Sequence, residues 1–354
     1  MSRITVILLG LVLLGPLRPV WAEEAANPPE RASRLAYVEA YPYWSYSDTL
    51  DHLRAYLDRV GWGERATFPP ELHFSFSEGE EEDYDDFRRQ AREILARDDY
   101  DLLLTFGTTA TRIMLEENAV LRRPMIGLSI SDPLGAGLIV SADDSGAEHF
   151  TTVVFDEPHG GNLFFLFHEL MKFGSLGIMY RDDPDGRAYT YLEEAREVAR
   201  DRGFKLVEYA NIGAGEPLED CLAAVRTLIG QGVDAIFLPN ISCFDPNQND
   251  LKELFDLIYR NKKMTFVADD RALVRQFAMA GLVFSDVKLL ADFQGRQIVN
   301  ILSGESPGEQ NMAAPFQSKI MLNMAAANRL GQRLDLGILA LSDELYLSLP
   351  GLDK

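Results

Sequence analysis

A chain of 354 residues is too long for one small core and comfortable for two lobes of ordinary domain size. Its apolar content of 47% excludes a disordered chain. A net charge of −21 argues against nucleic acid and anionic membrane surfaces as partners, because both would repel it.

The first predicted unit, residues 1–22, is a cleaved secretory signal. Arg3 precedes an apolar run from Ile4 to Leu14, followed by Pro16, Pro19 and Val20-Trp21-Ala22. The run falls short of the ~20 residues a membrane span needs, and its end suits a small-x-small cleavage site. Cleavage near Glu23 removes Arg3 and Arg18 and takes the net charge from −21 to −23. An uncleaved anchor is the alternative, since Val20 is less typical at its position. No cysteine follows the apolar run, so no lipid anchor is expected, and a free periplasmic protein is.

Leu35-Ala36-Tyr37-Val38 reads as the first strand, and Tyr46, Leu50, Leu53, Leu57 and Val60 give a helix by their spacing. Leu72 to Phe76 alternates as a half-buried strand. The acidic run Glu78 to Asp86 opens a helix that ends near Arg97, where negative charge opposes the helix dipole. Two short apolar strands follow. Leu102 to Phe106 runs into Gly107-Thr108-Thr109-Ala110-Thr111, and Pro124 to Leu128 runs into Ser129-Ile130-Ser131-Asp132-Pro133 and Gly135-Ala136-Gly137. A helix that starts just past a strand leaves unpaired N–H groups at the carboxyl edge of the sheet, and nearby hydroxyls add donors for a carboxylate. In open α/β sheets ligands sit at that edge.

The second half alternates in the same way. Strands are expected at Leu176 to Tyr180, Phe204 to Tyr209, Ala235 to Pro239 and Thr265 to Ala268. Helices are expected near Tyr189 to Arg202, Pro217 to Gly230 and Asp250 to Asn261. Strands separated by helices imply parallel sheets covered on both faces, and two runs of them imply two lobes. Cys221 lies on the apolar stripe Leu218, Cys221, Leu222, Val225, Leu228, Ile229. That position favours two unpaired thiols, although Cys221 and Cys243 lie near the same end of the sheet and a bridge is compatible with the layout.

The order and spacing of Gly107-Thr108-Thr109-Ala110-Thr111, Ser131-Asp132-Pro133-Leu134-Gly135-Ala136-Gly137-Leu138, Phe150-Thr151-Thr152, Gly295-Arg296-Gln297 and Ile301 to Pro307 resemble ABC transporter substrate-binding proteins. The resemblance is to the amino-acid-binding-type branch with the periplasmic binding protein type I, LacI-like fold, over roughly residues 34 to 331. It implies an α/β, two-lobed fold whose lobes are parallel sheets flanked by helices, with three inter-lobe crossings. These fall near Val153 to Pro158, Gly281 to Asp286 and Glu305 to Phe316. The expected N-terminal lobe is 31–155 plus 284–308 and the C-terminal lobe 156–283 plus 309–354. The implied partners are a small-molecule ligand and an ABC permease in the inner membrane; amino acids, including aromatic ones, are among the family's ligands.

Catalytic and metal motifs are near misses. Gly127-Leu128-Ser129-Ile130-Ser131 lacks the last glycine of a nucleophile elbow, and His168-Glu169 lacks the second histidine of a zinc helix. Arg181 and Leu192 stand where the acidic loop Asp182 to Gly186 would need calcium ligands, and Gly213-Ala214-Gly215 has no third glycine. The five histidines are not paired at a metal-holding spacing, and His159 beside Gly160-Gly161 suits a loop residue near a hinge. No cofactor and no enzymatic activity are expected.

The candidate ligand residues of the first lobe are Tyr43 and Trp44, as aromatic walls after the first strand, with Thr108, Thr109, Ser129, Ser131 and Asp132. The second lobe offers the strand ends Tyr180, Asn240 and Asp269, of which Asn240 and Asp269 are the preferred pair for a ligand amino group. Either could instead cap the following helix. Asp286 is added by the resemblance, although Val287 replaces the tyrosine usual after it and Asp182 to Asp185 replaces a small-polar loop. The expected function is capture between hinged lobes for delivery to an importer. A sensing module that presents its ligand state to a membrane receptor is the first rival. An enzyme using the cleft carboxylates Asp132, Asp269 or Asp270 is the second.

Overall fold

The computed structural model describes residues 31–352, apart from 77–83, 156–158, 214, 285, 315–317 and 335. The leader at residues 1–22, most of the acidic run from Glu78 and Pro315 therefore lie outside the described residues, as do parts of the three expected crossings. Among the described residues no helix is long and apolar enough to cross a membrane.

The first sheet holds β1 (Ser33–Glu39), β2 (Ala66–Thr67), β3 (His73–Ser75), β4 (Leu102–Phe106), β5 (Met125–Leu128) and β6 (Phe150–Thr151). Its order is β2-β1-β4-β5-β6, with β3 also on β1, and every pairing is parallel. Between the strands run α1 (Trp44–Arg59), α2 (Tyr84–Leu95) and α3 (Thr108–Glu117). The central strand β4 is buried along its whole length, as an apolar run covered on both faces requires.

After β7 (Val154–Phe155) and α4 (His159–Met171) the chain builds a second sheet. Its parts are β8 (Ser175–Met179), α5 (Pro184–Tyr189), α6 (Leu192–Arg202), β9 (Lys205–Tyr209), α7 (Leu218–Gly230), β10 (Ala235–Leu238), α8 (Lys252–Arg260), β11 (Met264–Ala268), α9 (Arg271–Gln276) and β12 (Ala280–Val283). The helix α10 (Val287–Leu302) then returns to the first lobe and packs on α1 so closely that a Cβ at Gly295 would meet the Tyr56 ring. The chain comes back through β13 (Ala313–Ala314), β14 (Lys319–Asn323), α11 (Met324–Leu330), α12 (Leu336–Leu341) and β15 (Glu344–Tyr346). The order of the second sheet is β15-β14-β12-β11-β10-β8-β9, parallel except where β14 runs against β12. This is the two-lobed α/β architecture that the alternating pattern predicts.

Both sheets share one topology. In each, the first strand of the unit (β1, β8) is flanked by the second on one side and the third (β4, β10) on the other. The strand order therefore reverses beside β1 and beside β8, and each lobe has one switch point where helices diverge and leave a crevice. The β7 and β13 segments pair parallel as a two-stranded ribbon between the lobes.

Cys221 and Cys243 form a disulfide, with Cα atoms 6.4 Å apart. This corrects the expectation of unpaired thiols. The stripe on α7 does face the core, but the turn after β10 enters the same core from the sheet edge, so both sulfurs meet there.

Candidate functional site

A cavity of about 610 Å³ opens between the two switch points, a volume suited to a small organic molecule. In the first lobe its wall starts at the carboxyl end of β4. Gly107, at φ +80°, turns the backbone directly into α3, so Thr108 and Thr109 stand at the helix start, 5% and 7% exposed. A Cβ at Gly107 would lie 2.3 Å from the Tyr46 hydroxyl, so this residue both reverses the chain and makes room for that ring.

Ser129 follows β5 at φ +52°, and Asp269 follows β11 at φ +50°. The two strands hold corresponding places in their sheets, and both chains bend into the left-handed region where they meet the cavity. Such conformations cost an L-residue about 1–3 kcal/mol and persist only where packing fixes them. The Asp269 carboxylate accepts the Phe284 N–H at 2.7 Å. Burial pushes its pKa up to about 7, partly offset by that bond.

Eight sequence-predicted residues line this one cavity: Tyr43, Trp44, Thr108, Thr109, Ser129, Ser131, Asn240 and Asp269. Three others stand elsewhere. The Asp132 carboxylate accepts the Gly135 N–H at 2.8 Å and closes its own turn. The Tyr180 hydroxyl donates to Glu208 on the neighbouring strand at 2.8 Å. Asp286 caps α10 through the Lys288 N–H and meets Lys319 at 3.4 Å beside the lobe junction. Partial burial works against its charge, yet the Lys288 backbone N–H and the Lys319 ammonium outweigh it and hold the carboxyl below the usual range.

Sequence reasoning chose Tyr180 as the ligand residue at this strand end and not Arg181, one residue past it. Successive side chains at a strand end point to opposite sides, so when Tyr180 turns to β9, Arg181 turns into the cleft. It is 6% exposed, pairs with Asp183, and its Nη2 crosses the cleft to donate to Thr109 Oγ1 at 3.2 Å. Burial works against its charge, yet Tyr189, Glu216, Tyr84 and Asp183 outweigh it and keep the guanidinium cationic.

Tyr189, Tyr191 and Glu216 were missed as well. The helix expected from Tyr189 onward is broken: α5 ends at Tyr189, Tyr191 sits at φ +52°, and α6 begins at Leu192. The break turns both tyrosines to the cavity. The Tyr189 hydroxyl donates to Glu216 Oε1 at 2.5 Å, and Glu216 Oε2 accepts the Ser242 N–H at 2.7 Å. The run Tyr189-Thr190-Tyr191, aromatic and β-branched where a helix should start, was the available signal.

The wall thus combines an aromatic first-lobe face (Tyr43, Trp44, Tyr46) with hydroxyls at a helix start, a buried cation and buried carboxyls. Such a set can hold a small molecule that carries both a ring and charged groups, and it does so by contacts from both lobes. Among the described residues no cluster suits a metal ion.

This architecture is that of a periplasmic binding protein of type I, with a ligand crevice between two doubly wound lobes. The chain belongs to the ABC transporter substrate binding protein family, whose pattern matches residues 71–345. Solved structures agree on the fold. A Streptococcus pneumonia ABC domain in complex with L-Trp covers 88% of this chain and 99% of its own at 18% identity and a TM-score of 0.72. A conserved domain protein from Vibrio cholerae covers 89% and 100%, at 18% identity and 0.74. A ligand-free, open substrate binding protein with adhesive properties from Clostridium difficile covers 90% and 100%, at 17% identity and 0.60. No curated protein matches at the level of sequence.

Proposed function

We propose that this protein captures a small zwitterionic molecule with an aromatic or other apolar side chain, of the amino-acid type, and hands it to an ABC permease in the inner membrane. The observation that carries the reading is the cavity itself, which draws hydroxyls and aromatic rings from one lobe and Arg181, Asn240 and Asp269 from the other. A ligand carboxylate would take the Thr108 and Thr109 helix start with Ser129 and Ser131, beside Arg181. Its ammonium would take Asp269 and Asn240, and its ring would lie against Tyr43 and Trp44. Residues 31–155 with 284–308 would move as one body, and 156–283 with 309–354 as the other.

Ligand contacts to both bodies favour the closed arrangement, because a molecule touching two lobes binds the closed state better than the open one. The closed form is then the species a permease distinguishes. The activity is capture and not chemistry, in a periplasmic protein released from its leader. The L-Trp held by the pneumococcal relative supports an aromatic amino acid as the first ligand to try. Mass spectrometry of what co-purifies with the mature chain, followed by calorimetry with L-tryptophan, other amino acids and sugars, tests the reading. Recovery of a sugar, with amino acids giving no heat, would overturn it.

A further inference from the structure

The Cys221–Cys243 disulfide sits behind the wall of the cavity, and both cysteines are fully buried. Cys243 lies in the short turn Ser242–Phe244 after β10, and Cys221 lies in the first turn of α7. Ser242 on one side of the link and Glu216 just before α7 on the other hydrogen-bond each other and line the cavity.

Two residues past Cys243 the chain leaves its own lobe. Asp245, 1% exposed, accepts the Trp44 backbone N–H at 3.2 Å, and Gln248 donates to the Pro42 carbonyl at 2.6 Å and to Asp245 at 3.0 Å. Trp44 is the first residue of α1, so its N–H has no intrahelical acceptor, and Tyr43 before it supplies no side-chain cap. Asp245 therefore caps a first-lobe helix from the second lobe, with its negative charge at the positive end of the dipole.

We propose that the Cys221–Cys243 disulfide is a positioning device for lobe closure. It holds the 242–249 loop at the place from which Asp245 and Gln248 reach the Pro42 to Trp44 segment. The inference rests on the reading of the cavity as the site that the two lobes close upon. An untethered loop samples more conformers, and each contact across the cleft then carries the cost of reordering it. The cross-link removes that cost from the closing step, so the bonded chain populates the capped arrangement more than an unbonded one does.

Hydrogen exchange of the mature chain without added ligand reads this directly, because protection at the Trp44 amide comes from Asp245. In C221A/C243A the Trp44 and Ser242 amides are expected to exchange about tenfold faster, a change in opening equilibrium of ~1.4 kcal/mol, while locally opening amides on α2 and α6 stay within about twofold. D245A should accelerate Trp44 and leave Ser242 unchanged. An unchanged Trp44 rate in C221A/C243A, or one common acceleration of all amides, overturns the proposal. Should that variant not fold, C221V/C243A, which refills part of the volume of the lost sulfurs, gives the same comparison. Since no ligand enters, failure here leaves the proposed ligand class standing, and failure of every amino acid to bind leaves these rates unaffected.

Discussion

Arg112 on α3 and Asp185 on α5 join the two lobes at the edge of the cleft, Nε to Oδ1 at 2.6 Å, with the Asp185 side chain only 5% exposed. The same guanidinium donates to the Ala136 carbonyl at 2.6 Å through Nη2, so one planar group serves a carboxylate of one lobe and a backbone acceptor of the other.

Truncation of one partner in such a pair costs about 2–5 kcal/mol and acts mainly on dissociation. Arg112→Ala is therefore expected to raise the release rate of the co-purified ligand tenfold or more, with the association rate changed less than threefold. Stopped-flow measurement of both rates checks this. Arg112→Lys should recover only part of the loss, because an ammonium does not reproduce the fork.

Thr109→Ala combined with Ser131→Ala is expected to abolish ligand-induced thermal stabilisation while the unliganded midpoint moves by about 2 °C or less. Thr109 also accepts the Arg181 bond across the cleft, so Thr109→Ala alone should already shrink the shift. A ligand-induced shift of full size in the double variant would remove these hydroxyls from the site.

Asp270 is 2% exposed and caps α9 through the Leu273 N–H at 2.7 Å, and burial pushes its pKa up to about 7, as it does for Asp269 beside it. A folded-state value above the unfolded one near 3.9 means that the native chain holds the extra proton between about pH 4 and 7. The stability this proton confers is complete below about pH 4 and is lost as the pH rises through 7. Asp270→Asn keeps the cap acceptor and cannot ionise. Its melting point relative to wild type should therefore rise by several degrees from pH 5 to pH 8. A difference that stays flat across that range would contradict neutral burial.

Gly107→Ala is expected to destabilise the fold by about 2 kcal/mol or more, since an L-residue at φ +80° is strained and its Cβ would collide with Tyr46. The Tyr46 ring lines the cavity, so displacing it should lower ligand affinity further than stability alone accounts for. Denaturant unfolding and calorimetry on one preparation separate the two losses. Tyr46→Phe in the Gly107→Ala background should restore part of the affinity by removing the hydroxyl in conflict.

The alternation of apolar runs with helical stripes was enough to read β1, β3, β4 and β5 of the first sheet and β8 to β11 of the second, because parallel strands buried on two faces leave short uninterrupted runs such as Leu102 to Phe106, whereas β2, β6, β12, β14 and β15 went unread. The helix start at Thr108 was legible for the same reason, with glycine and hydroxyls directly after a strand. Parity was not. Tyr180 and Arg181 both follow β8, and only the pairing with β9 decides which of them turns to the cleft. Asp132 and Asp286 misled because a carboxylate before a turn or helix is satisfied by local N–H groups, and sequence shows the residue without its partner. The disulfide and the Asp245 to Trp44 cap depend on segments far apart in the chain, and no periodicity reports such contacts.

The paired strands β7 and β13 join Val154 to Ala313 and Phe155 to Ala314 in register. A ribbon of this kind bends across its face more readily than it shears along its length, so the proposed opening would part the halves like the covers of a book about that spine. Phe155 belongs to that spine and also lines the cavity. A molecule captured as proposed would therefore rest beside that spine, with its exit at the outer edges, where Arg112 meets Asp185.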